Sequence, residues 1–167
     1  TLAPQVADVH FLLGELACRE DRLDDAVAHY AAALERNDHF DFAYRSLFTV
    51  LVQWKAFADA VLLMRRAVAA SPQSVEFAFN LANALYKRGE LDEAVLQFRA
   101  AAQSGDPSAQ ASSHARIGSI RREQRRVDEA LVELVEAVRL RPDSAEFHER
   151  YANALTDAGR LTEAEAE

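Results

Sequence analysis

The chain has 167 residues, of which 50% are hydrophobic and 28% are charged, so it is long enough for a soluble domain with a buried core. Five glycines and four prolines are too few for the many turns of a β-sandwich or β-barrel, and 33 alanines favour helices. The net charge of −8 argues against nucleic acid as a partner, and the single cysteine excludes a disulfide framework.

The sequence shows no signal for membrane insertion or secretion. No apolar stretch reaches the roughly 20 residues that a membrane-spanning helix needs. The N-terminal residues Thr1 to Pro4 lack the basic region of a signal peptide. We therefore expect a cytoplasmic protein that does not insert into a membrane.

Alanine recurs at a fixed period along the chain. One series, spaced by 34, 34, 36 and 34 residues, comprises Ala26, Ala60, Ala94, Ala130 and Ala164. A second series, seven residues later, comprises Ala33, Ala67, Ala101 and Ala137. Four of the five glycines keep the same period. Such self-similarity is typical of proteins built from stacked repeats.

Each period contains two stretches with the apolar spacing of an amphipathic helix. In the third unit, Phe77, Leu81 and Leu85 share one face of a first helix, and residues 91–101 continue the spacing on a second helix. Alanine at the crossing of two helices allows their close approach, whereas a larger residue there would overpack the contact by about 1–3 kcal/mol. Each unit is therefore predicted to be a helix pair.

Glycine and proline predict where these helices end. Gly89 and Gly159 follow the first helix of their units, where a left-handed residue can close the helix. Pro72 and Pro142 follow the second helix, which they cannot continue. The chain should therefore alternate between turns within a repeat and turns between repeats.

The pattern resembles the tetratricopeptide repeat (TPR), which runs W-x2-L-G-x2-Y…A-x3-F…P. Its Leu-Gly place is filled by Leu13-Gly14, Leu81-Ala82, Ile117-Gly118 and Tyr151-Ala152, whereas Leu47-Phe48 departs from it. The opening Trp is absent from every unit. The resemblance implies an all-α fold, a right-handed α-α superhelix or TPR solenoid of antiparallel helix pairs, with a concave face lined by the first helices. Arginine outnumbers lysine 17 to 2, which suggests a bacterial-type array.

In this frame the units follow one another along the whole chain. They are residues 1–6 (the end of a preceding repeat or a linker), 7–40, 41–74, 75–110, 111–144 and a partial fifth repeat, 145–167. The third repeat has a two-residue extension, and the Gly, Pro and Ser residues of segment 103–110 predict a lengthened loop there. Because the fifth repeat stops within its second helix, we expect a section of a longer array.

Polar side chains are expected to line the concave face. The predicted peptide-binding groove consists of Arg45, Thr49, Phe79, Asn80, Asn83, Lys87, Arg116, Ser119, Arg122 and Asn153. The same projection also places there Phe11, Glu15, Arg19, Gln53, Glu149, Arg150 and Asp157. Asn can donate to and accept from a peptide backbone, and Arg can hold a carboxylate with two hydrogen bonds. The alternative is that these positions are merely exposed to solvent.

Two known uses of the repeat depend on residues that this chain largely lacks. The clamp for acidic chaperone tails pairs Lys-Asn, Asn and Lys-Arg on three first helices, and it is not reproduced by Phe11 with Glu15 or by Arg45 with Thr49. The asparagine ladder of O-linked N-acetylglucosamine transferases is matched at Asn80 alone. Segments 80–85 and 151–155 are similar to repeats fused to bacterial transferases.

A basic run in the fourth repeat contains Arg121, Arg122, Arg125 and Arg126, with Arg116 upstream. It could bind an acidic peptide, but Arg is also favoured near the C-terminal end of a helix, and we favour this structural interpretation. No aromatic residue is interleaved with the arginines, which disfavours nucleic acid.

No catalytic or cofactor site is predicted. His10, His114 and His148 share one repeat position, so they belong to different layers of the stack and do not surround one metal ion. Cys18 has no second ligand at a motif distance. Acidic pairs such as Asp24-Asp25 complement the dipole at a helix N-terminus. We therefore expect no enzyme activity, no metal and no cofactor.

The leading hypothesis is a non-catalytic protein–protein interaction scaffold that binds a peptide or a partner helix in its concave groove. The alternative is a substrate-recruiting arm of a larger bacterial enzyme, of the glycosyltransferase, sulfotransferase or methyltransferase type, whose catalytic domain lies outside these residues. A third hypothesis is self-association through the uncapped ends of the array.

Overall fold

The computed structural model describes residues 3–166, with side chains from residue 6 onward. These residues form ten helices joined by turns of three or four residues, and the described part of the chain contains no strand. The all-α prediction is therefore confirmed. By its internal contacts the chain divides into two compact units, residues 1–88 (unit 1) and residues 89–167 (unit 2).

Unit 1 contains five helices, and α1 contacts α2, α2 contacts α3, α3 contacts α4 and α4 contacts α5. They are α1 Ala3–Arg19, α2 Leu23–Arg36, α3 Asp41–Gln53, α4 Phe57–Ala70 and α5 Val75–Lys87. The short connections make neighbouring helices antiparallel. Aromatic side chains form much of the core, where Tyr30, Tyr44 and Phe77 are fully buried and the rings of Tyr44 and Phe77 lie 5.7 Å apart.

Unit 2 repeats this arrangement with smaller core residues. Its helices are α6 Leu91–Ala102, α7 Pro107–Glu123, α8 Val127–Leu140, α9 Ala145–Asp157 and α10 Leu161–Ala164. One core cluster joins α8 to α9 through Ala130, Leu134, Ala154 and Leu155. All alanines of the two predicted series are buried except Ala164, which is half-buried. Their small size is therefore used for helix packing.

The turn inside each repeat contains one residue with a left-handed backbone. These residues are Asp21 (φ 58°), Lys55 (φ 59°), Gly89 (φ 81°), Arg125 (φ 62°) and Gly159 (φ 74°). The glycine prediction is therefore correct for two turns, and the other three use non-glycine residues at the same position. In these three turns a backbone bond closes the helix from five residues further along, as from Arg22 N to Ala17 O over 2.9 Å.

Helix α7 begins one turn earlier than predicted. Residues 107–110, predicted as part of a lengthened loop, are helical, and the connection 103–106 is as long as the other connections between repeats. The Asp106 carboxylate caps the helix by accepting from the backbone N–H groups of Ser108 (3.0 Å) and Ala109 (3.2 Å). Pro107 lacks an N–H group and suits the first helical position. The loop prediction was therefore wrong for residues 107–110.

Helix α1 also begins earlier than the predicted first repeat. It begins at Ala3, so residues 3–6, predicted as the end of a preceding repeat or a linker, are its first turn. A proline is compatible with the first turn of a helix because its missing N–H would have no partner there. Residues 1 and 2 of the predicted segment lie outside the described residues.

Candidate functional site

Two predicted groove residues on α3 already make contacts within unit 1. The Nη2 atom of Arg45 lies 2.9 Å from Oε2 of Glu76 on α5, and its guanidinium lies 5.6 Å from the ring centre of Phe42. The Thr49 hydroxyl donates to the Arg45 carbonyl oxygen over 2.9 Å. Arg45 and Glu76 are exposed, and an exposed ion pair contributes about 0–1 kcal/mol. A ligand carboxylate could therefore replace Glu76 at little cost.

Helix α5 carries four predicted groove residues: Phe79, Asn80, Asn83 and Lys87. Asn80 and Asn83 are half-buried and three residues apart, so their side chains share one face of the helix. Neither side-chain amide has a hydrogen-bond partner among residues 6–166. The Lys87 ammonium is exposed and lies 5.8 Å from the ring centre of Tyr86. These two amides are therefore available to a ligand.

In unit 2, two polar contacts join α7 to α9. The Arg150 Nη1 donates to the Ser119 hydroxyl oxygen over 2.6 Å, and the Arg122 Nε lies 2.5 Å from an Asp157 carboxylate oxygen. Ser119 and Arg122 are therefore engaged within the unit. By contrast, Arg116 on α7 and the exposed Asn153 on α9 make no hydrogen bond or ion pair with another described residue.

The basic run of the fourth repeat is largely structural. Arg121 is buried, with 8% of its side chain exposed, and its Nη1 donates to the Gln124 side-chain oxygen over 2.7 Å. Its Nε lies 3.4 Å from Glu129 of α8, and Glu129 also pairs with Arg126 over 2.6 Å. Within the described chain, only Arg125 of the four arginines in this run has no polar partner. Three of the four arginines that could bind an acidic peptide are therefore already paired within unit 2.

A cavity of about 340 Å³ that opens to solvent lies between α1, α2 and α3 in unit 1. Its walls include three residues that the sequence projected onto the groove: Glu15, Thr49 and Gln53. Sequence reasoning missed the six other lining residues, which are Cys18, Asp21, Leu23, Tyr30, Ser46 and Val50. They were missed because the repeat pattern treats Tyr30 as core and Cys18 as an isolated thiol.

Hydrogen bonds hold the Glu15 carboxylate at the wall of this cavity. Its Oε1 accepts from the Tyr30 hydroxyl over 2.6 Å and from the Ser46 hydroxyl over 3.0 Å. The Cys18 Sγ lies 3.4 Å from the Tyr30 oxygen. Burial, together with the bonds to Cys18 and Glu15, raises the pKa of Tyr30 well above its usual range, so the phenol keeps its proton and remains a donor.

The histidines at the shared repeat position make unrelated contacts. His114 Nδ1 lies 2.7 Å from a Glu133 oxygen, and His148 Nε2 lies 3.0 Å from a backbone carbonyl oxygen. The His10 ring lies 5.8 Å from the ring of His29. Within residues 3–166, no group of three or more His, Cys, Asp or Glu residues is placed to hold a metal ion. None of the described helices has the length and apolar character needed to span a membrane.

Comparison with protein families agrees with the repeat. A family model described as "Tetratricopeptide repeat" matches residues 2–41, 55–109 and 116–167. A search of curated proteins finds no match. The family match supports a general protein-binding role, because this repeat is one of the architectures that present extended binding surfaces.

Solved structures with the same fold share little sequence with the chain. The crystal structure of MamA is 16% identical, with a TM-score of 0.84, and the match covers 96% of this chain and 86% of MamA. PilF of Pseudomonas aeruginosa is 17% identical, with a TM-score of 0.79, and the match covers 99% and 75% of the two chains. YrrB is 18% identical, with a TM-score of 0.71 and coverage of 93% and 78%. These likenesses establish the fold.

Proposed function

We propose, since the chain belongs to the tetratricopeptide-repeat family, that it is a non-catalytic scaffold that binds a protein segment through the first helices of its repeats. The observation that carries this proposal is the pair of unpartnered amides, Asn80 and Asn83, on one face of α5. Arg116 and Asn153 supply free polar groups in unit 2. The partner is a peptide in an extended conformation or a helix.

The chemistry of these side chains suits a peptide backbone. An Asn amide offers two donors and one carbonyl acceptor, so it can bind an N–H and a C=O of the same extended strand. Amides that are half-buried without a partner within unit 1 gain a hydrogen bond when a ligand arrives, at little cost in broken contacts. The structurally similar YrrB is described as a TPR protein with an unusual peptide-binding site.

The first test measures a selected peptide against an amide-free variant. A 12-residue peptide is selected on the wild-type chain from a random phage-displayed library, and its Kd is measured by fluorescence polarisation. We expect the double variant Asn80→Ala, Asn83→Ala to lose about 2–3 kcal/mol of binding free energy, or about 30- to 150-fold in Kd. Circular dichroism should show unchanged helix content.

The matched control removes two amides elsewhere. Gln73 is exposed in the turn before α5, and Gln97 is half-buried on the second helix α6, so the variant Gln73→Ala, Gln97→Ala loses the same groups away from the proposed site. Its Kd should equal the wild-type value. An unchanged Kd in the Asn80, Asn83 variant, or an equal loss in the control, would overturn the proposal.

A second candidate function, self-association, is favoured by the exposed face of α1. Val9, Leu12, Leu13 and Leu16 form an apolar stripe with helical spacing, and they are 55%, 64%, 39% and 46% exposed. The other repeats bury the positions of Val9 and Leu16. The counterparts of Val9 and Leu16, all buried, are Ala43, Phe77, Ser113, Phe147, Val50, Ala84, Ile120 and Ala154.

We propose a second copy of the chain as the occupant of this stripe. The equivalent helices of later repeats have a neighbour on their N-terminal side within the same unit: α3 contacts α2, and α9 contacts α8. Two α1 stripes related by a twofold axis would pack antiparallel and cover each other. A twofold dimer is the commonest symmetric oligomer. That packing brings the exposed Asp8 near the start of one α1 towards the exposed Arg19 at the end of the other.

Sedimentation equilibrium over a wide concentration range tests this association. We expect a concentration-dependent dimer in the wild type and a monomer in the variant Leu12→Glu, Leu16→Glu, because each carboxylate would be buried without a partner. The control variant Leu62→Glu, Leu96→Glu changes two similarly exposed leucines (64% and 62%) on α4 and α6 and should still dimerise. A wild type that stays monomeric throughout would contradict the proposal.

A further inference from the structure

We propose that the cavity between α1, α2 and α3 accepts a positively charged side chain, arginine or lysine, of the bound protein segment. The inference rests on the proposed function, because it specifies the chemistry of the same partner. The cavity volume of about 340 Å³ lies near the lower end of the range for small-ligand pockets. This volume suits one side chain better than a whole cofactor.

The walls of the cavity carry negative charge without a compensating cation. Glu15 and Asp21 both line it, and no Lys or Arg is among its lining residues. Within the described residues, neither carboxylate takes part in an ion pair. The repeat that contains them, residues 7–40, has a net charge of −5. A cation entering the cavity would therefore find two unpaired carboxylates.

Glu15 is oriented before any ligand arrives. Its Oε1 accepts from two neutral hydroxyls, those of Tyr30 and Ser46, while its Oε2 has no partner in the described structure. Tyr30 is 1% exposed, so the packing of its ring fixes the donor and with it the carboxylate. A group that is already held in place loses little conformational entropy on binding, which favours affinity.

The neutral groups of the cavity suit a cation as well. The Thr49 hydroxyl donates its proton to the Arg45 carbonyl, so towards a ligand its oxygen can act only as an acceptor. Gln53, one turn further along α3, also lines the cavity and has an amide carbonyl that can accept. A guanidinium has five N–H donors and an ammonium three, and both need several acceptors. An anionic side chain would be repelled by Glu15, because no positively charged residue lines the cavity. The cavity should therefore favour cationic side chains over anionic ones.

Cys18 allows a direct test, because it is the only cysteine of the chain and lines this cavity. The rate of Cys18 alkylation by iodoacetamide is measured with increasing concentrations of acetyl-Ala-Arg-Ala-amide. At about nine times its Kd, the Arg peptide should slow alkylation about tenfold, since only the unoccupied tenth of the protein reacts. The Lys peptide should also protect, whereas peptides with citrulline, the neutral isostere of arginine, or with Glu should not.

Variants connect this protection to the carboxylates. Glu15→Gln keeps the shape and can still accept from Tyr30 and Ser46, so it should fold and lose the protection. Asp21→Asn, at an exposed turn, serves as a second variant and should weaken the protection several-fold. Glu35→Gln is the control, because Glu35 is exposed on α2 and does not line the cavity. Equal protection by the citrulline peptide, or protection that survives in Glu15→Gln, would overturn the inference.

The two experiments fail independently. If the library peptide depends on Asn80 and Asn83 but cationic peptides do not protect Cys18, the inference is wrong and the proposed function stands. If cationic peptides protect Cys18 and the library peptide binds the Asn80, Asn83 variant normally, the cavity is a cation site and the proposed role of the α5 amides is wrong.

Discussion

The substitution Gly118→Val should destabilise the protein by about 3 kcal/mol, at the upper end of the usual cost of overpacking a core. Gly118 lies in α7 where α8 crosses it, and a Cβ at this position would stand 2.5 Å from Leu134 Cγ and 3.2 Å from the Ala130 carbonyl oxygen. The backbone oxygen cannot move without disturbing α8. Urea denaturation followed by circular dichroism would measure the loss.

The control for this prediction is Gly105→Val. Gly105 lies in the connection between α6 and α7, has no heavy atom within 4 Å of an added Cβ and does not adopt a left-handed backbone. The free energy of unfolding should change by less than about 0.5 kcal/mol, as for other surface substitutions. Equal stabilities of the two variants would show that the close approach of α7 and α8 is wrong.

The second large effect is expected at Arg121, where the change to Ala should cost about 2 kcal/mol. The substitution removes a buried aliphatic stem and a charged donor that binds the Gln124 side chain and lies 3.4 Å from Glu129. The loss should stay below the roughly 3–5 kcal/mol of a fully buried pair, because Glu129 is 47% exposed and can regain water. Urea denaturation again measures the change.

A neighbouring arginine provides the control. Arg125 belongs to the same basic run, is exposed and has no polar partner within the described chain, so Arg125→Ala should leave the unfolding free energy within about 0.5 kcal/mol. Arg121→Lys should give an intermediate loss, because lysine keeps the charge but lacks the planar fork of donors. If both alanine variants were equally stable, Arg121 would be a solvent-exposed arginine and again a candidate for ligand binding.

Part of the candidate site could be predicted from the sequence. Projecting the repeat identified Asn80 and Asn83 as neighbours on one helix face, because residues three apart on a helix always share a face. It also grouped Glu15, Thr49 and Gln53, which the structure brings to one cavity. The projection could not foresee that Ser119 and Arg122 are bonded to α9 side chains, since those contacts join residues 31 and 35 positions apart.

The local pattern of the chain was sufficient for the fold. The 34-residue period, the alanines at helix crossings and the closing glycines predicted helix pairs, because periodic apolar spacing and small residues act through short-range geometry that is the same in every repeat. The extra turn of α7 also has a local signal in Asp106 and Pro107, although segment 103–110 was predicted to be a loop.

Other features depend on contacts between residues that are distant in the sequence. Lys55 and Arg125 adopt left-handed backbones that their residue types do not favour, because the surrounding helices fix the turn. Arg121 is buried although the other arginines of its run are more exposed, and acidic groups from α6 and α8 lie within 4 Å of it. Burial and pairing are set by packing in three dimensions, and a periodic sequence assigns the same role to side chains that the tertiary structure treats differently.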